Sequence, residues 1–328
     1  MKKLLTFSLL LLTIIQINGQ SKYGKSYSYD SIFDIENLKE DDVEINFWAL
    51  MICKEFDISV NIQVYLSKLD EIAAEINKML AGREKDMDKF LAVKTYIYES
   101  GAWNNNKPFS YDLDDPLGFV LEHQLMSSYI DTRKGNCVSM PTLFISLMEK
   151  LDPNIQIYGV KAPAHLFCRF NDRQTGDIWN VETTNGANPA RNQWYIDKMQ
   201  ISQIAVDKRT YLSSLTKKQY IAELLSTLIS KERRIGNFDK AMKYTDLVLR
   251  LSPNSVLGLV NKGALLAEIG FKKSMESELT IEEKTKINEE AAGYIDKAIS
   301  LGWQPASKEE KDEYLNSVNQ EKKKINRR

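Results

Sequence analysis

Apolar residues in the first third of the chain recur every three or four positions, which is the period of an amphipathic helix. The clearest pattern covers residues 69–80, where apolar side chains stand at positions 69, 72, 73, 76 and 80. A similar pattern begins at Asp41, and residues 84–99 show a third. We therefore predict three helices that bury their apolar faces in a common core.

A loop rich in Asn, Asp, Pro and aromatic residues follows at 101–116, and a further apolar helical pattern begins just after a cysteine. Residues 143–151 carry that pattern. Pro141 is compatible with a helix here only in the first turn, where its missing N–H has no helical partner. Gly135 and Asn136 directly precede Cys137. The pattern predicts that the Cys137 thiol lies at the start of a buried helix, whose partial positive charge favours a thiolate.

Three β-type segments come next, at 155–160, 164–170 and 177–182, and a cluster of turn residues separates the second from the third. If the turn is centred between Arg173 and Gln174, His165 lies directly opposite Glu182. Opposed residues share a face of the sheet, with Cβ atoms about 4.5–5.5 Å apart. Because a slip of one residue would put them on opposite faces, this register is a hypothesis.

From about residue 221 the pattern is entirely helical. Small and apolar residues fall where a tetratricopeptide repeat has its packing positions: Leu225, Leu228, Gly236, Phe238, Ala241 and Pro253. A step of 34 residues places Leu259, Gly263 and Gly270 at matching positions of a second repeat, which residues 271–286 then interrupt. We predict a tetratricopeptide-like module at 216–305, with a plain helical extension as the alternative. A charged tail follows at 306–328.

The composition is that of a folded protein, with 43% hydrophobic and 27% charged residues. A net charge of -1 gives no reason to expect nucleic acid as a partner. Residues 1–20 combine a basic start, an apolar run and a polar end, which predicts a signal peptide; a membrane anchor is the alternative. We therefore expect an exported protein, periplasmic or secreted, with no membrane span once the signal peptide is cleaved. The first domain is expected at residues 21–215.

Three cysteines leave at least one thiol unpaired. Cys53 and Cys168 are expected to be buried packing residues. Cys137 is a candidate nucleophile: His165 would accept its proton and return it to a leaving amine, and Glu182 would orient the imidazole. Neither metal-ligand spacing nor a glycine-rich phosphate loop is present, so we expect no metal and no cofactor.

The chain resembles the transglutaminase-like superfamily in three short runs that occur in this order: Gly135-Asn136-Cys137, Ala164-His165-Leu166-Phe167 and Asn180-Val181-Glu182. The resemblance covers residues 85–215 and implies an α+β fold with a papain-like core. In that core Cys137 would be the nucleophile, His165 the base and Glu182 the orienting acid, where an aspartate is more usual. The whole chain resembles a bacterial branch that adds tetratricopeptide repeats to such a domain.

An oxyanion formed at the site would accept a hydrogen bond from the Cys137 N–H. Gln124 or Tyr129 would supply a second donor. Asn136 would shape the loop or line the cleft.

The sequence thus predicts an exported enzyme that acts on a protein or peptide amide through a thioester. Hydrolysis would make it a peptidase or deamidase, and aminolysis a cross-linking transferase. The alternatives are a catalytically idle domain that binds a protein partner through its repeats, and a structural scaffold.

Overall fold

The computed structural model describes residues 18–20, 26–276 and 279–305, together with 312, 315–316, 318–320 and 322–323. The predicted signal peptide at 1–20 lies outside these residues except for its last three, and most of the predicted tail at 306–328 lies outside them too. Strand β1 (Asn18–Gln20) pairs antiparallel with β2 (Ser26–Ser28). Within the part of the chain that the structure describes, no helix is long and apolar enough to cross a bilayer.

Three helices open the main body, close to where the apolar spacing predicts them: α1 (Ile45–Phe56), α2 (Ile62–Leu80) and α3 (Asp86–Tyr98). Asn61 begins α2 because its side-chain oxygen accepts the N–H of Gln63 at 3.0 Å. Helix α1 is buried from its first residue through Cys53, which is 1% exposed. The helix prediction and the packing role of Cys53 are both confirmed.

The segment around the candidate nucleophile comprises helix α4 (Met126–Thr132), strands β3 (Ser110–Tyr111) and β4 (Lys134–Gly135), and helix α5 (Ser139–Leu151). Strands β3 and β4 form a short parallel pair. Pro141 is the third residue of α5, so it lies in the first turn as expected. Helix α5 packs against α1, α2 and α3, which makes it the centre of the apolar core.

The described part of the main sheet contains β5 (Gln156–Ala162), β6 (His165–Asn171), β7 (Ile178–Glu182) and β8 (Asn188–Ala190), antiparallel and in that order. Alternate residues of β6 face opposite ways. Cys168 and Phe170 are fully buried on the face that meets α5. On the other face, Phe167 stacks on Tyr195 of helix α6 (Asn192–Lys198), with ring centroids 4.1 Å apart, and α7 (Gln203–Asp207) follows.

The predicted register between β6 and β7 is wrong by two residues. Cys168 pairs with Val181 and Arg169 with Asn180, so the turn is centred between Gln174 and Thr175. The shift follows from the loop itself, because the Asp172 carboxylate accepts the N–H of Gln174 at 2.8 Å and closes a four-residue connection. An even shift keeps every side chain on its predicted face.

Residues 208–217, which connect the first domain to the helical module, contribute to the sheet. The N–H groups of Leu212 and Leu215 donate to the carbonyls of Lys161 and Gly159, each at 2.9 Å. These bonds cover the outer edge of β5, where unpaired backbone groups would otherwise face solvent. The segment therefore joins the two parts of the chain and also completes the sheet.

The remaining described helices are α8 (Lys217–Leu224), α9 (Ser226–Arg234), α10 (Phe238–Leu251), α11 (Val256–Met275) and α12 (Ile281–Ser300). Residues 271–286, which interrupt the repeat pattern, include the last turn of α11 and the first turns of α12, so both helices are longer than the repeat predicts. These two helices approach closely at Gly263, where a Cβ would lie 2.8 Å from the Ala291 carbonyl oxygen. The helical character is confirmed, and assignment to tetratricopeptide repeats stays a prediction.

The helical module packs directly on the sheet. Buried Lys161 of β5 donates to Glu223 of α8 at 2.7 Å, and the Tyr220 hydroxyl lies 2.9 Å from Thr142 Oγ1 of α5. Apolar residues of α8, α9 and α10 belong to the same buried cluster as α1 and α5. The apolar core therefore continues across residue 215, where the sequence places a domain boundary.

Candidate active site

Cys137 lies in a turn that connects β4 to α5, two residues before the helix begins. The Asn136 side-chain oxygen accepts the N–H groups of Val138 at 2.9 Å and Ser139 at 3.3 Å. In return, Ser139 Oγ accepts the Asn136 N–H at 3.1 Å and donates to the His123 carbonyl at 2.8 Å. These bonds cap the helix and fix the turn. They use the N–H groups on either side of Cys137 and leave its own N–H for another acceptor.

The β5–β6 hairpin brings His165 to the thiol. Its two-residue turn, Pro163 and Ala164, holds Ala164 in the left-handed region at φ 52°. This conformation is strained for a residue with a Cβ, and such strain is found where a turn must position a functional group. The Ala164 carbonyl oxygen lies 3.9 Å from Cys137 Sγ, and the His165 ring is within hydrogen-bonding reach of the same sulfur.

Glu182 holds the far side of the His165 ring. His165 Nε2 donates to Glu182 Oε2 at 2.8 Å, which leaves Nδ1 as the nitrogen available to the thiol. The Tyr195 hydroxyl donates to the same Oε2 at 2.8 Å, while Oε1 accepts the Thr184 N–H at 3.1 Å and its hydroxyl at 2.6 Å. The Glu182 side chain is 7% exposed. Four hydrogen bonds therefore compensate the burial of this carboxylate.

Electrostatics favour a charged His165–Glu182 pair. Burial opposes the imidazolium, but the negative charge of Glu182 and the contact with Cys137 outweigh it and raise the pKa of His165 to about 10. Burial also opposes ionisation of Glu182, yet His165 and the bonds from Thr184 and Tyr195 hold the pKa of this carboxyl below its usual range. At neutral pH the site therefore holds an imidazolium between a carboxylate and a sulfur.

Thr184 and Tyr195 are site residues that were not predicted from the sequence. Thr184 had a local signal, because an acid often bonds a backbone N–H two residues further along the chain. Tyr195 had none, since its contact with Glu182 depends on how α6 packs against the sheet. Burial, and then Glu182, raise the pKa of Tyr195, so its hydroxyl remains a donor to the carboxylate.

The two residues proposed as upstream oxyanion donors differ in their surroundings. Tyr129 is fully buried, with its ring centroid 5.1 Å from that of Phe109, so the structure does not support its role as a donor to substrate. Gln124 is half-buried. Its side-chain nitrogen donates to the Gly118 carbonyl at 3.1 Å, and its oxygen accepts the Thr227 hydroxyl at 2.8 Å. One N–H of the Gln124 amide remains for another acceptor.

The amide nitrogens of Gln124 and Asn136 meet at Gly118, which has φ 66°. A Cβ at this glycine would lie 3.5 Å from Asn136 Nδ2 and 3.6 Å from Gln124 Nε2. The missing side chain therefore leaves a notch beside the Cys137 turn that is lined by two amide donors. The contact expected of Asn136 with the cleft and its capping of α5 are compatible, because its oxygen and nitrogen have different partners.

The three cysteines lie in different environments. Cys53 and Cys168 are fully buried, and burial raises the pKa of both thiols. Cys137 is partly exposed. Of the three thiols, Cys137 is the one that an external carbonyl can approach.

A cysteine before a helix, with a histidine and an acid on neighbouring antiparallel strands, defines a class of α+β proteins with papain-like cores. A family model described as the transglutaminase-like superfamily matches residues 63–232, which is more than half of the chain, and the chain belongs to this superfamily. The matched region starts earlier than residue 85 and extends beyond residue 215, through most of α9. It therefore includes part of the helical module.

One curated relative is a UPF0162 protein of Xylella fastidiosa (strain 9a5c). It is 21% identical to the chain over 197 residues, which cover 58% of this chain and 66% of the relative. The match thus spans slightly less than two thirds of the relative's length. A search of solved structures found no significant match to the chain.

Proposed function

We propose that this protein is a cysteine-dependent acyl-transfer enzyme that acts on an amide of a protein or peptide through a thioester at Cys137. The observation that carries the proposal is the 2.8 Å bond between His165 and a fully hydrogen-bonded Glu182, with the one accessible thiol on the other side of the imidazole. Membership of the transglutaminase-like superfamily supports this reaction class. Hydrolysis and transamidation share the same first step.

In that step the sulfur attacks the amide carbonyl and a C–S bond forms. The imidazolium of His165 gives its proton to the leaving nitrogen, the C–N bond breaks, and an amine departs. Glu182 keeps the ring oriented and stabilises its charged form, and Tyr195 and Thr184 keep Glu182 in place. An acceptor, either water or an amine, then attacks the thioester and releases the thiolate.

The negative charge that develops on the carbonyl oxygen needs donors that are already in place. The free N–H of Cys137 supplies one. We propose that the amides of Gln124 and Asn136, which line the notch at Gly118, supply the second donor. Of the two donors predicted upstream of Cys137, Gln124 rather than Tyr129 would then bind the oxyanion.

The pattern of residues 1–20 supports the further proposal that the enzyme is exported and acts in the periplasm or outside the cell. The helical module at 216–305 is the part of the chain that we propose binds a protein partner or substrate. The same module contacts the segment beside the active site, since the Thr227 hydroxyl of α9 donates to the Gln124 side-chain oxygen and Arg234 donates to the Phe119 carbonyl at 2.7 Å. A partner bound to α9 would therefore contact the helix that supports the cleft.

Trapping of the acyl-enzyme tests the proposal. p-Nitrophenyl acetate should acetylate the full-length protein once, and peptide mapping by mass spectrometry should place the acetyl group on Cys137. Cys137→Ala should remove the label, and His165→Asn should slow its formation by at least about a hundredfold, as expected for loss of a general acid-base group. Labelling of wild type and His165→Asn at equal rates would overturn the proposal and favour a binding domain.

A further inference from the structure

The loop at 117–120 presents apolar side chains to solvent beside the candidate active site. Leu117 and Val120 are 37% and 40% exposed, and Phe119 is 66% exposed. Leu121, the next residue along the chain, is buried, so it is the residue that anchors the segment in the protein interior. Single exposed apolar residues are common on protein surfaces, whereas several on one loop are typical of a surface that binds another molecule.

Hydrogen bonds hold the backbone of this loop in place. The buried Asp115 carboxylate accepts the N–H groups of Phe119 and Val120, each at 2.8 Å. The Gly118 N–H donates to the Asp115 carbonyl at 3.0 Å, and Arg234 of α9 donates to the Phe119 carbonyl at 2.7 Å. The Phe119 side chain is therefore exposed on a fixed backbone, which is how a protein scaffold positions loop residues that bind ligands.

The loop also forms the notch at which we propose that the oxyanion binds. The Gly118 carbonyl accepts Gln124 Nε2 at 3.1 Å, and a Cβ at Gly118 would lie 3.5 Å from Asn136 Nδ2. Because consecutive Cα atoms are about 3.8 Å apart, the Cα atoms of Leu117 and Phe119 lie within about 8 Å of a group that contacts the Gly118 Cα. A substrate carbonyl in the notch thus brings its own residue close to both apolar side chains.

We propose that the exposed side chains at 117–120 form an apolar subsite, in which Phe119 is the specificity-determining residue. With the oxygen of the scissile amide in the notch, the side chain of the residue that supplies this carbonyl packs against the Phe119 ring. The contact removes apolar surface of both partners from water and so favours a large apolar side chain.

The substrate class is therefore a protein or peptide in which a main-chain amide follows an aromatic or large aliphatic residue. This inference rests on the proposed thioester chemistry and names the residue type that the site prefers on the acyl side.

The test compares two acyl groups that differ in one side chain. The p-nitrophenyl esters of N-acetyl-L-phenylalanine and N-acetylglycine are reacted with the full-length protein, and release of p-nitrophenol gives each rate of acylation, with Cys137→Ala as the background. Each rate is divided by the rate of the same ester with free cysteine, which removes differences in intrinsic reactivity. Wild type should prefer the phenylalanyl ester by at least about tenfold, as expected for an apolar side chain in an apolar subsite.

Phe119→Ala should reduce this preference by at least about fivefold and leave the rate with the glycyl ester within about twofold of wild type. Phe119→Leu, which keeps an apolar side chain, should retain most of the preference. Phe271→Ala is the matched control, because Phe271 of α11 is the same residue type and is 70% exposed. It should keep the wild-type preference.

Equal normalised rates with the two esters in wild type would overturn the inference, as would a preference that persists in Phe119→Ala or falls equally in Phe271→Ala. An equal fall in both rates in Phe119→Ala would also overturn it, since the ring would then support the cleft without recognising the substrate. Absence of acylation by both esters and by p-nitrophenyl acetate would instead refute the proposed function, on which the inference rests.

Discussion

His165 is the residue whose charge sets the resting state of the site. In water an imidazole is largely neutral above pH 6.5, whereas here the neighbouring carboxylate and thiol raise the pKa of His165 to about 10. The burial of Glu182 matters for this effect, because the low local polarity strengthens the interaction between the two charges. Tyr195 and Thr184 favour the charged pair as well, because their hydrogen bonds stabilise the ionised form of the Glu182 carboxyl.

The pKa of His165 leads to a prediction about stability and pH. A group whose pKa is higher in the folded state stabilises the fold fully below its unfolded pKa and loses that effect as pH rises through the folded value. The free-energy difference between wild type and His165→Gln should therefore be constant below about pH 6.5. It should shrink by up to about 1.4 kcal/mol per pH unit between pH 6.5 and 10.

Urea unfolding of both proteins at a series of pH values measures this difference. Glu182 has the opposite sign, because its pKa is lowered in the folded state, so its contribution should disappear as pH falls below about 4.5. Glu182→Gln provides that comparison. A wild-type advantage over His165→Gln that stays constant from pH 6 to 10 would show that the imidazole is not held in its charged form.

At the scale of the elements, the β6–β7 pairing explains the glutamate at position 182. If the observed register is extended, His165 lies opposite Thr184, and Glu182 is its diagonal neighbour on the same face. Diagonal positions are about 7–8 Å apart, compared with about 5 Å for direct pairs. The additional methylene of a glutamate allows the carboxylate to span that distance and still reach the ring at 2.8 Å.

This geometry predicts the outcome of shortening the acid. Glu182→Asp keeps the charge but should withdraw the carboxylate from His165, and the rate of Cys137 acetylation should fall by at least about tenfold. Glu182→Gln keeps the length and loses the charge, so it serves as the comparison. Wild-type acetylation by the aspartate variant, measured with p-nitrophenyl acetate, would contradict the diagonal arrangement.

The elements themselves could largely be predicted from the sequence. The helices have strong apolar periodicity, and the strands are separated by evident turn residues, so α1–α3, α5 and β5–β7 occur near their predicted positions. The register could not be predicted, because it depends on how the Asp172 side chain closes its loop. The prediction that His165 and Glu182 share a face holds because the error was an even number of residues.

At the scale of the whole molecule, the helical module and the sheet share one apolar core. The buried Lys161–Glu223 pair and the Tyr220–Thr142 contact join them, and α9 supports the rim of the cleft through Thr227. The sequence indicates a boundary at residue 215 because the periodicity changes there. Periodicity reports secondary structure, whereas a shared core depends on packing between distant segments, which the pattern does not record.

Part of the site could not be predicted from the sequence for the same reason, because it depends on packing between distant segments. Cys137, His165 and Glu182 belong to short runs of recognisable type. Tyr195 lies on helix α6, which meets the site only in the folded protein. Its role depends on its distance from Glu182, and it has no sequence signal of its own.

The rate at which iodoacetamide alkylates Cys137 shows directly whether a paired imidazolium keeps this thiol reactive near neutral pH. Iodoacetamide should therefore modify Cys137 at pH 6–7 at least about tenfold faster than it modifies free cysteine, and His165→Asn should remove this advantage. A wild-type rate no higher than that of the free thiol, and unchanged in His165→Asn, would show that His165 does not activate Cys137.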